Sequence, residues 1–170
     1  MGLSSEYTLL VEKKPIPKHA IDVQVDRQFK AKIDGARLRH VVEQTLVSEG
    51  LASKAEVSLV ITDDTTVERL NRQYRGKART TDVLSFALSE SAEGFVLPPD
   101  GVRHLGEVVV SFPQAERQAQ EQGHSTDYEM ALLVCHGVLH LLGYDHDNAG
   151  AEAKMKAREA QVLAVVIEGQ

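Results

Sequence analysis

Cys135-His136-Gly137-Val138-Leu139-His140-Leu141-Leu142-Gly143-Tyr144-Asp145-His146-Asp147 is the stretch that organises the reading of this chain. His136 and His140 are four residues apart, which on an α-helix places both imidazoles on one face, one turn apart. Gly143 follows where a helix end needs a residue tolerant of positive φ. A turn there brings His146 back toward the first pair. Three convergent histidines with an open fourth position are the arrangement of a catalytic rather than a structural zinc site. The spacing therefore predicts one Zn2+ per chain on His136, His140 and His146. Cys135 neighbours His136 and points elsewhere around the helix, so it reads as a small buried hydrophobe.

The ligand spacing His136-x-x-x-His140-x-x-Gly143-x-x-His146 is similar to that of metzincin metalloproteases. Those enzymes carry a glutamate general base directly after the first histidine. Here that residue is Gly137, so the metal cradle is present and the protease base is absent. The glycine reads as space left open for a substrate backbone.

Working outward, Glu107–Phe112 is almost wholly apolar and predicts a central strand. Pro113 suits the start of a helix over 114–122 closed by Gly123, and Ser125 or Thr126 caps the long helix that carries His136 and His140. That helix is expected to be buried through Met130, Leu133, Val134 and Val138. Residues 149–167 predict a closing helix with Met155, Val162, Val165 and Val166 inward and Arg158 and Glu159 interrupting that face. Upstream, Ile21–Val25 and Val57–Ile61 alternate as strands, and 83–88 forms another. Asp34 caps a helix to about Ser48 with Leu38, Val41, Val42, Thr45 and Leu46 on one face, ended by Gly50. Thr62-Asp63-Asp64 cap a helix over 65–75, and 89–103 read as a loop. Tyr7–Val11 suggests a short strand, but Pro15 and Pro17 break it. Residues 1–19 are read as an N-terminal extension and 20–170 as a single metal-dependent hydrolase domain. The fold class is α+β: about four strands in a mixed sheet, about five helices, and the metal site at the end of a buried helix.

Composition is that of a globular protein, with 170 residues, 42% hydrophobic and 26% charged. No apolar run reaches membrane-spanning length, and no signal pattern opens the chain. One cysteine excludes an internal disulfide and suits a reducing, cytoplasmic setting. A net charge of −6 opposes nucleic-acid binding in bulk, but Arg69, Arg72, Arg75, Lys77 and Arg79 form a local basic cluster. Taken singly, most of these read as a solvated helix face.

Residues 136–146 also match every specified place of His-Gly-x-Leu-His-Leu-x-Gly-Tyr-Asp-His, and so resemble the signature of the YbeY family of bacterial metal-dependent endoribonucleases. Tyr74-Arg75-Gly76-Lys77 with Thr81–Phe86, and Leu105–Ser111, resemble two further blocks. Thr80 and Ala87 stand where proline is usual, and Glu107 where aspartate is. The likeness spans roughly residues 20 to 168. It implies a single-strand-specific endoribonuclease acting on ribosomal RNA in small-subunit maturation and ribosome quality control, with the small subunit or its proteins as partners and no membrane. It also gives Arg75 a catalytic place beside the metal, where a guanidinium clamps a phosphate and offsets transition-state charge. Asp145 and Asp147 fit either as hydrogen-bond partners of the imidazoles or as turn formers. Tyr144 fits either a substrate-facing ring or packing. Ser85 is a candidate for substrate contact, and His104 and His124 read as surface residues. A metalloprotease-like hydrolase and a non-catalytic ribosome assembly factor with a structural metal are the alternatives.

Overall fold

The computed structural model describes residues 17–76, 81–88 and 99–168. The expected strand at 7–11, the basic residues Lys77 and Arg79, and most of the 89–103 loop lie outside these residues. The order of elements is β1 (Ala20–Val25), a 3-10 turn (Arg27–Phe29), α1 (Gly35–Ser48), β2 (Ala55–Thr62), α2 (Asp64–Arg75), β3 (Val83–Ala87), β4 (Arg103–Ser111), α3 (Phe112–Gln122), α4 (Thr126–Leu141) and α5 (Ala149–Glu168). The sheet order is β1-β2-β4-β3. β1, β2 and β4 run parallel, and β3 lies antiparallel along the outer side of β4. The expected mixed α+β architecture is what forms, with the apolar β4 in the interior.

The helices begin where capping chemistry directs. Asp34, Asp63, Ser111 and Ser125 each accept the backbone N–H three residues on, satisfying donors that a helix start leaves unpaired. α4 lies at the centre, packed against α1, α3, α5, β3 and β4. Its buried residues, including Met130, Leu133, Val134 and Val138, run nearly all round it. Such a helix is held by tertiary packing rather than by one amphipathic stripe.

Several expectations need correction. Arg103, read as loop, begins β4 because its backbone pairs with Ala55 of β2, and His104 follows it by pairing with Glu56. Phe112, read as strand, opens α3 because the Ser111 hydroxyl caps it. On α5 the inward positions are Met155, Glu159, Val162, Leu163 and Val166, whereas Val165 is exposed. The helical period thus turns Glu159 into the core and Val165 out of it.

Candidate functional site

The end of α4 builds the site. Gly143, at φ 98°, lets the chain reverse. Its N–H donates to the His140 carbonyl at 3.0 Å and the Tyr144 N–H to the Leu139 carbonyl at 3.1 Å. This paired closure is the Schellman end of a helix. It returns the chain over the last turn, so the Tyr144 carbonyl meets His140 Nδ1 at 2.8 Å. It also brings His146 over the other two imidazoles, with ring centroids 5.9 Å from His136 and 5.1 Å from His140. One ring nitrogen from each histidine lies within 4.8 Å of the others.

The tautomers follow from the partners. His140 Nδ1 faces a carbonyl and His136 Nδ1 faces Glu159 Oε1 at 2.5 Å, so both Nδ1 atoms donate. Burial, with the neighbouring His136, lowers the His140 pKa from its ordinary value and so favours the neutral ring. The two Nε2 atoms face each other 3.0 Å apart. Two ring nitrogens this close are satisfied by a proton or a cation between them. Three imidazole nitrogens with two Nδ1–H groups already committed suit a divalent transition metal.

The histidines line a cleft of about 510 Å³ together with Asn71, Arg75, Asp82, Ser85 and neighbouring residues of β3. Arg75, the last residue of α2, reaches the edge of β3 and donates from Nη2 to the Ser85 carbonyl at 2.9 Å. It therefore faces the same cleft as the histidines. Of the other basic residues described, Arg69 is exposed and Arg72 pairs with Glu68 at 3.1 Å, as on a solvated helix face. Asp82 is the carboxylate lining the cleft among the described residues. Its oxygens already accept from the Val83 N–H at 2.8 Å and Gln118 Nε2 at 3.1 Å.

Other expectations come out differently. The Ser85 hydroxyl donates to the Gly137 carbonyl at 2.9 Å, tying β3 to α4. Gly137 leaves no open space: a Cβ there would sit 2.5 Å from Val108 Cγ1 and 3.3 Å from Ser85 Oγ. The glycine permits close helix–sheet approach and faces the sheet rather than a substrate. Asp145 accepts the Asp147 N–H and shapes the turn, while the His136 and His140 rings find partners elsewhere. The Tyr144 hydroxyl donates to Glu49 Oε2 at 2.8 Å, which settles the ring as packed. His104 sits between Glu56 and Asp100, each at 3.1 Å, and their hydrogen bonds raise its pKa. His124 pairs with the buried carboxylate of Glu129. Neither is a bare surface histidine. Cys135 is fully buried, and burial pushes its thiol up to about 12.

Sequence reasoning missed Asn71 and Glu159. Asn71 is buried and stands one turn before Arg75 on α2, a position readable from the Val67–Asn71 spacing. Glu159 had a sharper signal, a charged residue at an inward position between Met155 and Val162.

A family model described as "Endoribonuclease YbeY" matches residues 21–166. A Roseiflexus sp. protein named "Endoribonuclease YbeY" is 46% identical over 147 residues, covering 86% of this chain and 92% of the relative. A Moorella thermoacetica protein of the same name is 49% identical over 131 residues, covering 76% and 84%. The solution structure of a Thermotoga maritima protein aligns with a TM-score of 0.58 at 25% identity, covering 86% of this chain and 88% of that one. With a family match from the first strand to the last helix and near-half identity to such relatives, the chain belongs to the YbeY endoribonuclease family.

Proposed function

We propose that this protein is a metal-dependent, single-strand-specific endoribonuclease that acts in the cytoplasm on ribosomal RNA during small-subunit maturation and quality control. Residues 20–170 form its catalytic unit. One Zn2+ is held by His136, His140 and His146, a set of three nitrogen donors without thiolate or carboxylate that leaves a coordination position for substrate chemistry. The observation that carries this reading is the convergence of the three imidazoles, with His136 Nε2 and His140 Nε2 3.0 Å apart, on a cleft that Arg75 also lines.

When bound, the ion supplies Lewis-acid polarisation of a phosphoryl oxygen and acidifies the attacking hydroxyl. The chain supplies placement. The Ser85 carbonyl fixes the Arg75 guanidinium at the strand edge, where its planar fork takes a phosphate bidentately and stabilises developing negative charge. The Tyr144 carbonyl and Glu159 fix two imidazoles by their Nδ1–H groups. Asp82, the carboxylate lining the cleft among the described residues, accepts from Val83 and Gln118 and is held in place by them. A peptidase reading loses its base, because a glutamate side chain at position 137 would enter the core against Val108.

Cleavage of single-stranded RNA and of casein, with and without chelator and beside an extensively purified His140→Ala control, tests the proposal. RNA cleavage that chelation abolishes, with casein intact, is expected. RNA cleavage equal in the wild type and the His140→Ala control would overturn it.

A further inference from the structure

Two consecutive residues of α5 lead to the histidine cluster, Glu159 directly and Arg158 through Glu49 and Tyr144. Glu159 is 8% exposed, and its Oε1 accepts from His136 Nδ1 at 2.5 Å. Arg158 places Nε 3.6 Å from Glu49 Oε1, and the other Glu49 oxygen accepts the Tyr144 hydroxyl at 2.8 Å. Tyr144 in turn offers its carbonyl to His140 Nδ1. Two arms thus start on one turn of α5 and end on different imidazoles.

We propose that α5 sets how tightly the cluster holds a divalent ion, with Glu159 the positioning residue of His136 and the Arg158–Glu49 pair, acting through Tyr144, that of His140. This rests on the three-histidine reading of the ion site. A carboxylate on Nδ1–H fixes the ring and makes Nε2 more basic, hence a stronger ligand. The location of Glu159 argues for the same role. A carboxylate buried between Met155 and Val162 costs stability unless charge opposes it, and apolar side chains pack better at such a position. A divalent ion held by His136 would supply the opposing charge. Glu49 Oε1 makes no hydrogen bond and is held by the Arg158 charge alone, so this arm is the softer of the two. It also acts at one further remove, through the tyrosine ring and backbone.

The test uses metal-free full-length protein, with Zn2+ and Co2+ affinities measured by competition against a chromophoric chelator. Circular dichroism of each metal-free variant checks the fold. Glu159→Gln keeps size and an acceptor oxygen but loses charge, and is expected to bind about 10-fold more weakly; Glu159→Ala approaches about 100-fold. Glu49→Gln falls between wild type and Glu159→Gln. The visible absorption bands of the Co2+-loaded protein should shift in Glu159→Gln as the ligand becomes less basic, a change that looser packing alone does not make. If the alanine variant does not fold, the near-isosteric glutamine variant decides. Folded Glu159→Gln with wild-type affinity and an unchanged Co2+ spectrum overturns the proposal. Wild-type protein that binds neither ion overturns the three-histidine reading itself.

Discussion

Gly137→Ala adds a single methyl group at the place where α4 lies closest to the sheet. The new Cβ would stand 2.5 Å from Val108 Cγ1 and 3.2 Å from Cγ2, so the nearer contact is about 0.9 Å short of the 3.4 Å at which ordinary packing begins. Val108 is fully buried in β4 and β-branched, so its methyls have few alternative rotamers. Overpacking costs about 1–3 kcal/mol, and a contact this short against a stiff, buried side chain belongs in the upper half of that range, about 2–3 kcal/mol. Replacing a helical glycine by alanine returns about 1 kcal/mol. The clash outweighs the propensity, leaving a net loss of about 1–2 kcal/mol. For a chain of this size that lowers Tm by roughly 2–8 °C. Relief by retreat of α4 would carry His136 and His140 away from Arg75, and a displacement near 1 Å at a catalytic group costs on the order of 10²-fold in rate. Thermal melts and RNA cleavage of Gly137→Ala, Val108→Ala and the double variant form a cycle in which the double variant should recover stability relative to the sum of the singles. A Gly137→Ala protein as stable and as active as wild type would refute the close-approach argument.

Other expectations follow from single contacts. Arg75→Ala should cut RNA cleavage strongly at unchanged metal content and circular dichroism, and Arg75→Lys should recover only part, because an ammonium cannot make the bidentate contact; full activity of the alanine variant would remove Arg75 from the mechanism. His140→Ala should lose the transition metal in elemental analysis while wild type carries one equivalent. His104 has a raised pKa through Glu56 and Asp100, so its pairs contribute fully below the unfolded value near 6.5 and fade as pH rises through the higher folded value. The urea midpoint of His104→Gln should therefore approach that of wild type as pH rises from 6 to 8. The gap stays small because the residue is exposed.

The fold was legible wherever local chemistry decides it. Asp34 and Ser125 cap the helices they were expected to cap, and the apolar face of α1 is the one its 3.6-residue period dictates. The errors lie where a partner decides. Arg103, at the end of the expected loop, carries no strand pattern of its own, and only the β2 backbone beside it makes it strand. Val165 and Glu159 exchanged places because hydrophobicity alone cannot show which turn of α5 meets α4. Gly137 was misread for a related reason. Its neighbour His136 faces the cleft, but the next residue on a helix points about 100° away, here into Val108.

The candidate site divides along the same line. His136, His140 and His146 lie within eleven residues, so helix pitch and one glycine-closed turn suffice to bring them together. The groups that orient them come from far along the chain, with Glu159 23 residues from His136 and Glu49 95 residues from Tyr144. Nothing local places either carboxylate; the packing of α1 and α5 on α4 does. A helix buried nearly all round therefore serves the chemistry directly. The contacts that hold α4 in the core bring up the partners that fix its histidines, so a substitution in the α4–α5 packing, such as Met155→Ala, should loosen the site as well as the fold.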